Sequence, residues 1–123
     1  MSYRYLVTQP DLNAHGTLHG GILMKWVDEA CGMQARLETK QVCATVHIDS
    51  IDFSDTARLG DIIQINISAG IVGNTSITFS ATASIVIPGS QQKMRKIASF
   101  GKVVFVAIDN MHKPIPIRRD TDE

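Results

Sequence analysis

The chain has 123 residues, 44% of them hydrophobic and 20% charged, with twelve basic side chains against twelve acidic ones. That length supports one domain around one apolar core, and the composition is that of a globular chain rather than a disordered one. Zero formal charge excludes a broad electrostatic pull toward nucleic acid or an anionic membrane, so any recognition of phosphate must be local.

Met1 to Pro10 hold no apolar stretch long enough for a signal peptide, and no run approaches the roughly 18 apolar residues that cross a bilayer. Tyr3 to Val7 alternates and predicts a short strand. Gln9 to Thr17, with Pro10, Asp11, Asn13 and Gly16, predicts a loop. Gly20-Gly21 then opens a helix predicted from Ile22 to about Leu37. Leu23, Val27, Ala30 and Ala35, with Trp26, Met33 and Leu37, recur at helical spacing. Few polar residues interrupt that stripe, which predicts burial on more than one side. Cys31 falls in the helix and Cys43 in the strand after it. Without an export signal the two read as isolated, buried thiols of a reducing cytoplasm rather than as a disulfide.

Past the helix the period changes to two. Val42 to Ile51 starts with mixed apolar residues and ends in Asp52-Phe53-Ser54. Ile63, Ile65, Ile67, Ala69 and Ile71 alternate with polar or small residues. Ile77, Phe79, Ala81, Ala83, Ile85 and Ile87 face one way, and Ser76, Thr78, Ser80, Thr82 and Ser84 the other, with Val86 the one exception. A turn at Pro88-Gly89 leads to a last run, Ile97 to Ile108. Gly73-Asn74 is a hairpin-like signal between two of the runs. One helix with about four long antiparallel strands is an α+β domain, here a single domain over 1–123 with residues from about 110 onward as an extended tail. A strand with one apolar and one hydroxyl-rich face needs cover on one side only, and the helix supplies it. The predicted architecture is a sheet curled around that helix. Periodicity does not encode the strand order.

The chemistry-bearing stretch is Asn13 to Gly21, followed by Ile22 to Asp28. Glycines at a helix start leave N–H groups unshielded at the positive end of the helix dipole. Such groups can hold a carbonyl oxygen, and more strongly the oxyanion it becomes, although two glycines also suit a tightly packed junction. Asp28 stands in a mostly apolar helix, where a carboxylate is costly unless it is hydrogen-bonded to a neighbouring strand or working. Glu29 points about 100° away and reads as solvated. Gly21 and Asp28 are seven positions apart, roughly 10 Å along one helix, so one bound carbonyl cannot easily touch both. If both act on one bond, they come from two subunits across a twofold axis. His15 and His19 lack a partner at zinc-ligand spacing, and neither a nucleophile elbow nor a phosphate loop is present. Gly73-Asn74-Thr75-Ser76 suits a turn or a polar contact. Lys93, Arg95, Lys96, Lys102, Lys113, Arg118 and Arg119 read as a solvated edge and tail.

From Asn13 to Asp28, an Asn, then Gly, then His-Gly-Gly, then Asp on the helix, the chain resembles the hotdog-fold thioesterases. Ala44 to Phe53, Leu59-Gly60-Asp61, Gly73 to Ser76, and Val104 to Asp109 with Lys113-Pro114-Ile115-Pro116 narrow the resemblance to the bacterial YciA-type and mammalian brain-type acyl-CoA hydrolases. The brain-type enzymes join two hotdog units in one chain, which 123 residues cannot do. The resemblance implies a hotdog dimer, often a trimer of dimers, that hydrolyses acyl-CoA to coenzyme A and a carboxylic acid. It implies Asp28 as the catalytic acid residue, assisted by Asn13, with Gly20 and Gly21 at the carbonyl site. Thr45 and the Gly73, Asn74, Thr75, Ser76 turn match positions near the substrate channel and the coenzyme A arm. Late basic residues match phosphate contacts. His19 is named with the substrate-site residues, but relatives often carry a bulky apolar residue at its position, so the resemblance implies no special role for it. No metal or redox cofactor is expected, and coenzyme A enters as part of the substrate. A hydratase or dehydratase on the same fold, pairing His19 with Asp28 across subunits, is one rival; a non-catalytic acyl-CoA-binding module is the other.

Overall fold

A computed structural model describes residues 1–89 and 93–118. In chain order it has strand β1 (Ser2–Leu6), a 3-10 turn (Gln9–Asp11), helix α1 (Gly20–Thr39), and strands β2 (Cys43–Phe53), β3 (Ile62–Ile67), β4 (Ile71–Val72), β5 (Ser76–Val86) and β6 (Met94–Ala107). All the pairings are antiparallel, and the sheet runs β1-β3-β5-β6-β2, with β4 on β5. This is the α+β arrangement expected, one helix covering one face of one sheet.

The helix buries Leu23, Trp26, Val27, Ala30, Cys31, Gln34 and Ala35, an unbroken three-four spacing that points one face at the sheet. Opposite lie Ile63, Ile65, Ile77, Phe79, Phe100 and Val103, all fully buried. Each such side chain removed from water contributes about 1.5–3 kcal/mol. Tyr5 stacks flat on Trp26, with ring centroids 4.9 Å apart, and fastens β1 to the helix. Met33 and Leu37 correct the predicted stripe: both are exposed, and the helix buries one face rather than several. Gln34 replaces them inside, its amide donating to Glu38 at 2.7 Å and its carbonyl accepting from the Tyr3 hydroxyl. The helix ends at Thr39, two residues later than predicted, and its cap Lys40, with a left-handed backbone (φ 60), donates its N–H to the Arg36 carbonyl.

The run predicted from Ile63 to Ile71 is two strands. β3 pairs with β5 through Ile67↔Ala81, and pairing resumes one residue out of step at Ile71↔Thr78. Ser68 makes the break: its N–H donates to the Ser80 carbonyl, and its hydroxyl accepts from the Ser80 N–H. The slip takes Ala69 and Ile71 off the core face, so Ile71 is 74% exposed. Ile87, past the end of β5, is likewise exposed. Further register shifts fall at Thr45/His47 in β2, and at Phe79/Ala81 and Ala83/Ser84 in β5. Bulges of this kind bend a strand and raise its twist, which curls the sheet around α1.

Residues beyond β6 follow the end of the helix. Ile115 N–H donates to the Ala107 carbonyl, Ile117 N–H to the Asn74 carbonyl, and the buried Gln41 side chain holds both Pro116 and Arg118 backbone groups. Cys31 is buried and free, whereas Cys43 is free but only half-buried, against the expectation of two buried thiols. No helix among the described residues is long and apolar enough to cross a membrane.

Candidate active site

Positions 21, 24, 25 and 28 fall on one side of α1, and they line a cavity of about 310 Å³ with Thr45 and Ile48 of β2. Strict alternation would set Thr45 and Ile48 on opposite faces. The extra residue at the β2 bulge, between Thr45 and His47, reverses the parity and turns both toward the helix. Ser50, with φ 54, reverses it again, so Ile51 also packs on the core. These two irregularities explain why this strand shows no clean alternation in the sequence.

Asp28 is half-buried, and its Oδ1 accepts from the Thr45 hydroxyl at 2.6 Å. Oδ2 takes no bond among the described residues, and Asp28 shares the cavity wall with Gly21, Met24, Lys25, Thr45 and Ile48. One turn along the helix, Cys31 is pushed up to about 12, first by burial and then by the Asp28 charge. Of the two roles weighed for this carboxylate, the hydrogen bond to a neighbouring strand is present, made by Thr45.

The helix start differs from expectation. His19 is the N-cap, and its Nδ1 accepts from Gly21 N–H at 2.9 Å, so that amide is not bare. Ile22 and Leu23 N–H both donate to the His19 carbonyl, which leaves Gly20 N–H as the first-turn donor without an acceptor among the described residues. Gly20 itself packs against Phe53, where a Cβ would make ordinary contact with the ring at 3.7 Å.

Asn13 is not among the residues lining the cavity. Its Oδ1 accepts from His15 N–H, at 2.9 Å, and from Thr17, and its Nδ2 donates to Thr17, so this side chain ties the loop before the helix. The Gly73–Ser76 turn also stands away from Asp28. Gly73 N–H closes it on the Ser76 carbonyl, and Asn74 and Thr75 hold the tail and the end of β6. Arg118 lines a second cavity, of about 480 Å³, with Arg36 and Lys40 at the far end of α1. Arg95 pairs with Asp55 on the surface, Lys93, Lys96, Lys102 and Lys113 are exposed, and Arg119 lies outside the described residues. His47 pairs with Asp49 at 2.9 Å on β2 and holds that carboxyl below its ordinary range. Among the described residues no three His, Cys, Asp or Glu side chains are grouped so as to hold a metal ion.

The sequence reading missed Met24, Lys25 and Ile48 as cavity walls. Helical spacing from Asp28 back to Gly21 would have found the first two; the bulge hid the third.

Residues 15–85 match the family model of the thioesterase superfamily. The chain belongs to that superfamily. A cytosolic acyl coenzyme A thioester hydrolase of Rattus norvegicus is 31% identical over 115 residues, which cover 92% of this chain but 30% of the rat protein. The chain therefore spans about a third of the length of such curated relatives. An uncharacterised acyl-CoA thioester hydrolase of Bacillus subtilis, YkhA, is 27% identical and matched over 92% of this chain and 64% of its own. Among solved structures, the acyl-CoA hydrolase of Staphylococcus aureus in complex with butyryl coenzyme A superposes with a TM-score of 0.84 at 26% identity, over 99% of this chain and 76% of that one. The hexameric thioesterase of Yersinia pestis shares the fold, with a TM-score of 0.85 at 24% identity over 95% and 93% of the two chains. Solved variants of the S. aureus hydrolase change an Asn, an Asp fifteen positions later and a Thr seventeen positions after that, each to Ala. Asn13, Asp28 and Thr45 stand at those same spacings here.

Proposed function

We propose that this chain is an acyl-CoA thioesterase, hydrolysing acyl-CoA to coenzyme A and a carboxylic acid. The observation that carries the reading is the Asp28–Thr45 pair, a carboxylate held through one oxygen on the wall of an open, mostly apolar cavity. The thioester carbonyl docks on an amide at the start of α1, where the dipole favours the developing oxyanion. Asp28 then acts through its free Oδ2, either taking a proton from water or attacking the carbonyl, and Thr45 holds the carboxylate in place. The proposed chemistry uses only the chain's own groups, and coenzyme A enters as part of the substrate. The spacing shared with the S. aureus variants supports Asn13, Asp28 and Thr45 as one functional set.

The site is shared between two copies. Along one helix Gly21 and Asp28 lie roughly 10 Å apart, so the amide of one copy serves the Asp28 of the other. Asn13, in the loop entering the helix, goes with the amide half, and Thr45 with the Asp28 half. The surface supports such a pairing: β2 is an eleven-residue edge strand with Val46 and Phe53 exposed on it and Val42 exposed just before it. A trimer of such dimers is the further assembly proposed, following the hexameric structural neighbours. A cytoplasmic location is the one proposed, supported by the two free thiols and by the naming of the mammalian relatives as cytosolic.

Incubation with short, medium, long and aromatic acyl-CoAs tests the activity. A thioesterase releases free thiol. A hydratase would change the absorbance of a 2-enoyl-CoA and release none, and a binding module would do neither.

A further inference from the structure

The His19 imidazole covers the amide that a thioester carbonyl would use. Its Nδ1 accepts from Gly21 N–H at 2.9 Å, and a Cβ built on Gly21 would meet ring atoms Nδ1 and Cε1 at 3.2 Å and no other group that near. One N–H makes one strong bond, so the imidazole and a carbonyl oxygen cannot both hold it. The His19 backbone is fixed, its N–H bonded to the Asp11 carbonyl and its own carbonyl accepting from Ile22 and Leu23. The side chain is exposed and can turn into water without moving the helix.

We propose that His19 is a placeholder: a positioning residue that keeps the Gly21 amide aligned at the helix start and that the acyl-CoA carbonyl must displace to bind. The inference deepens the thioesterase reading and rests on it. The His19–Gly21 bond is already broken in the Michaelis complex and stays broken in the transition state. Its cost therefore falls on KM and leaves kcat alone.

Steady-state thiol release from one acyl-CoA, compared across wild type, His19→Ala and His19→Asn, tests it. Alanine offers no acceptor, so KM should fall by about two- to tenfold, with kcat within about twofold. The melting temperature should drop with the lost cap. Asparagine restores both an acceptor and a strong cap, and KM should return to the wild-type value. If alanine unfolds the chain, His19→Gly removes the acceptor at less cost to the cap. An unchanged KM in the folded variant overturns the proposal and moves the carbonyl to another donor such as Gly20 N–H. A raised KM overturns it too, because the imidazole would then be holding substrate rather than yielding to it. The same comparison as an acyl-CoA dissociation constant in an Asp28→Asn background separates this inference from the reading beneath it. Tighter binding there, with no thiol release by wild type, would leave the placeholder standing and sink the hydrolase. An unchanged dissociation constant would overturn the placeholder whatever the activity.

Discussion

Replacing Thr45 by Val removes one hydroxyl from the cavity and keeps the branched shape that suits a strand. The bond it removes is the 2.6 Å contact to Asp28 Oδ1. Hydrogen bonds to charged groups are worth about 1.5–3 kcal/mol. Thr45 is exposed, so water replaces part of the lost bond and the lower end applies. At about 1.4 kcal/mol per factor of ten, kcat/KM for thiol release should fall roughly tenfold. Thr45→Ser keeps the hydroxyl and should stay within about threefold of wild type. Because β2 is an edge strand, a melting curve run beside the kinetics shows whether Val has disturbed folding rather than chemistry. Wild-type kinetics in the folded Val variant would refute the reasoning, as would a Ser variant as slow as the Val one.

Five further outcomes follow from the same structure. Subunits carrying Asp28→Asn, mixed with subunits carrying Gly21→Pro, which lacks the N–H, should regain thiol release in the mixed dimer; no recovery would refute the shared site. Sedimentation should give at least twice the 13.5 kDa chain mass, and a monomer at working concentration would refute the dimer. Phe79, buried and edge-on to Phe105 at 6.2 Å, should cost about 3–5 kcal/mol in urea unfolding when changed to Ala. Cys31, moved from 9.0 to about 12, should stay silent to a thiol reagent at pH 8 until the chain unfolds. Its raised value also sets a sign: above pH 9 the unfolded thiol ionises while the folded one keeps its proton, so stability should fall as pH rises from 9 toward 12.

Much of the fold was legible where a single period ran uninterrupted. Strand β5, with five buried residues from Ile77 to Ile85 on alternate positions, and the helix from Leu23 to Ala35 are such cases. Legibility failed where backbone geometry, not side-chain pattern, decided the outcome. The Ser68 bond to Ser80 ends β3 inside an alternation that continues to Ile71, and the β2 bulge turns Thr45 and Ile48 to one side. Asp28 was readable because an apolar helix makes a carboxylate conspicuous, and its neighbours 24 and 25 follow from helical spacing. The His19 cap was not readable: histidine is an unusual N-cap, and the glycines after it advertise an open amide that its ring in fact occupies. Strand order, and with it the edge position of β2, has no signature in periodicity at all.

The most direct measurement is the kcat for thiol release from acyl-CoA by Asp28→Asn, which keeps the size and the Thr45 partner of the side chain but not its charge. A positioned general base contributes about 10²–10⁴ in rate, so the variant should fold, bind acyl-CoA and turn over at least a hundredfold more slowly. A folded Asp28→Asn protein that releases thiol at the wild-type rate would contradict the account.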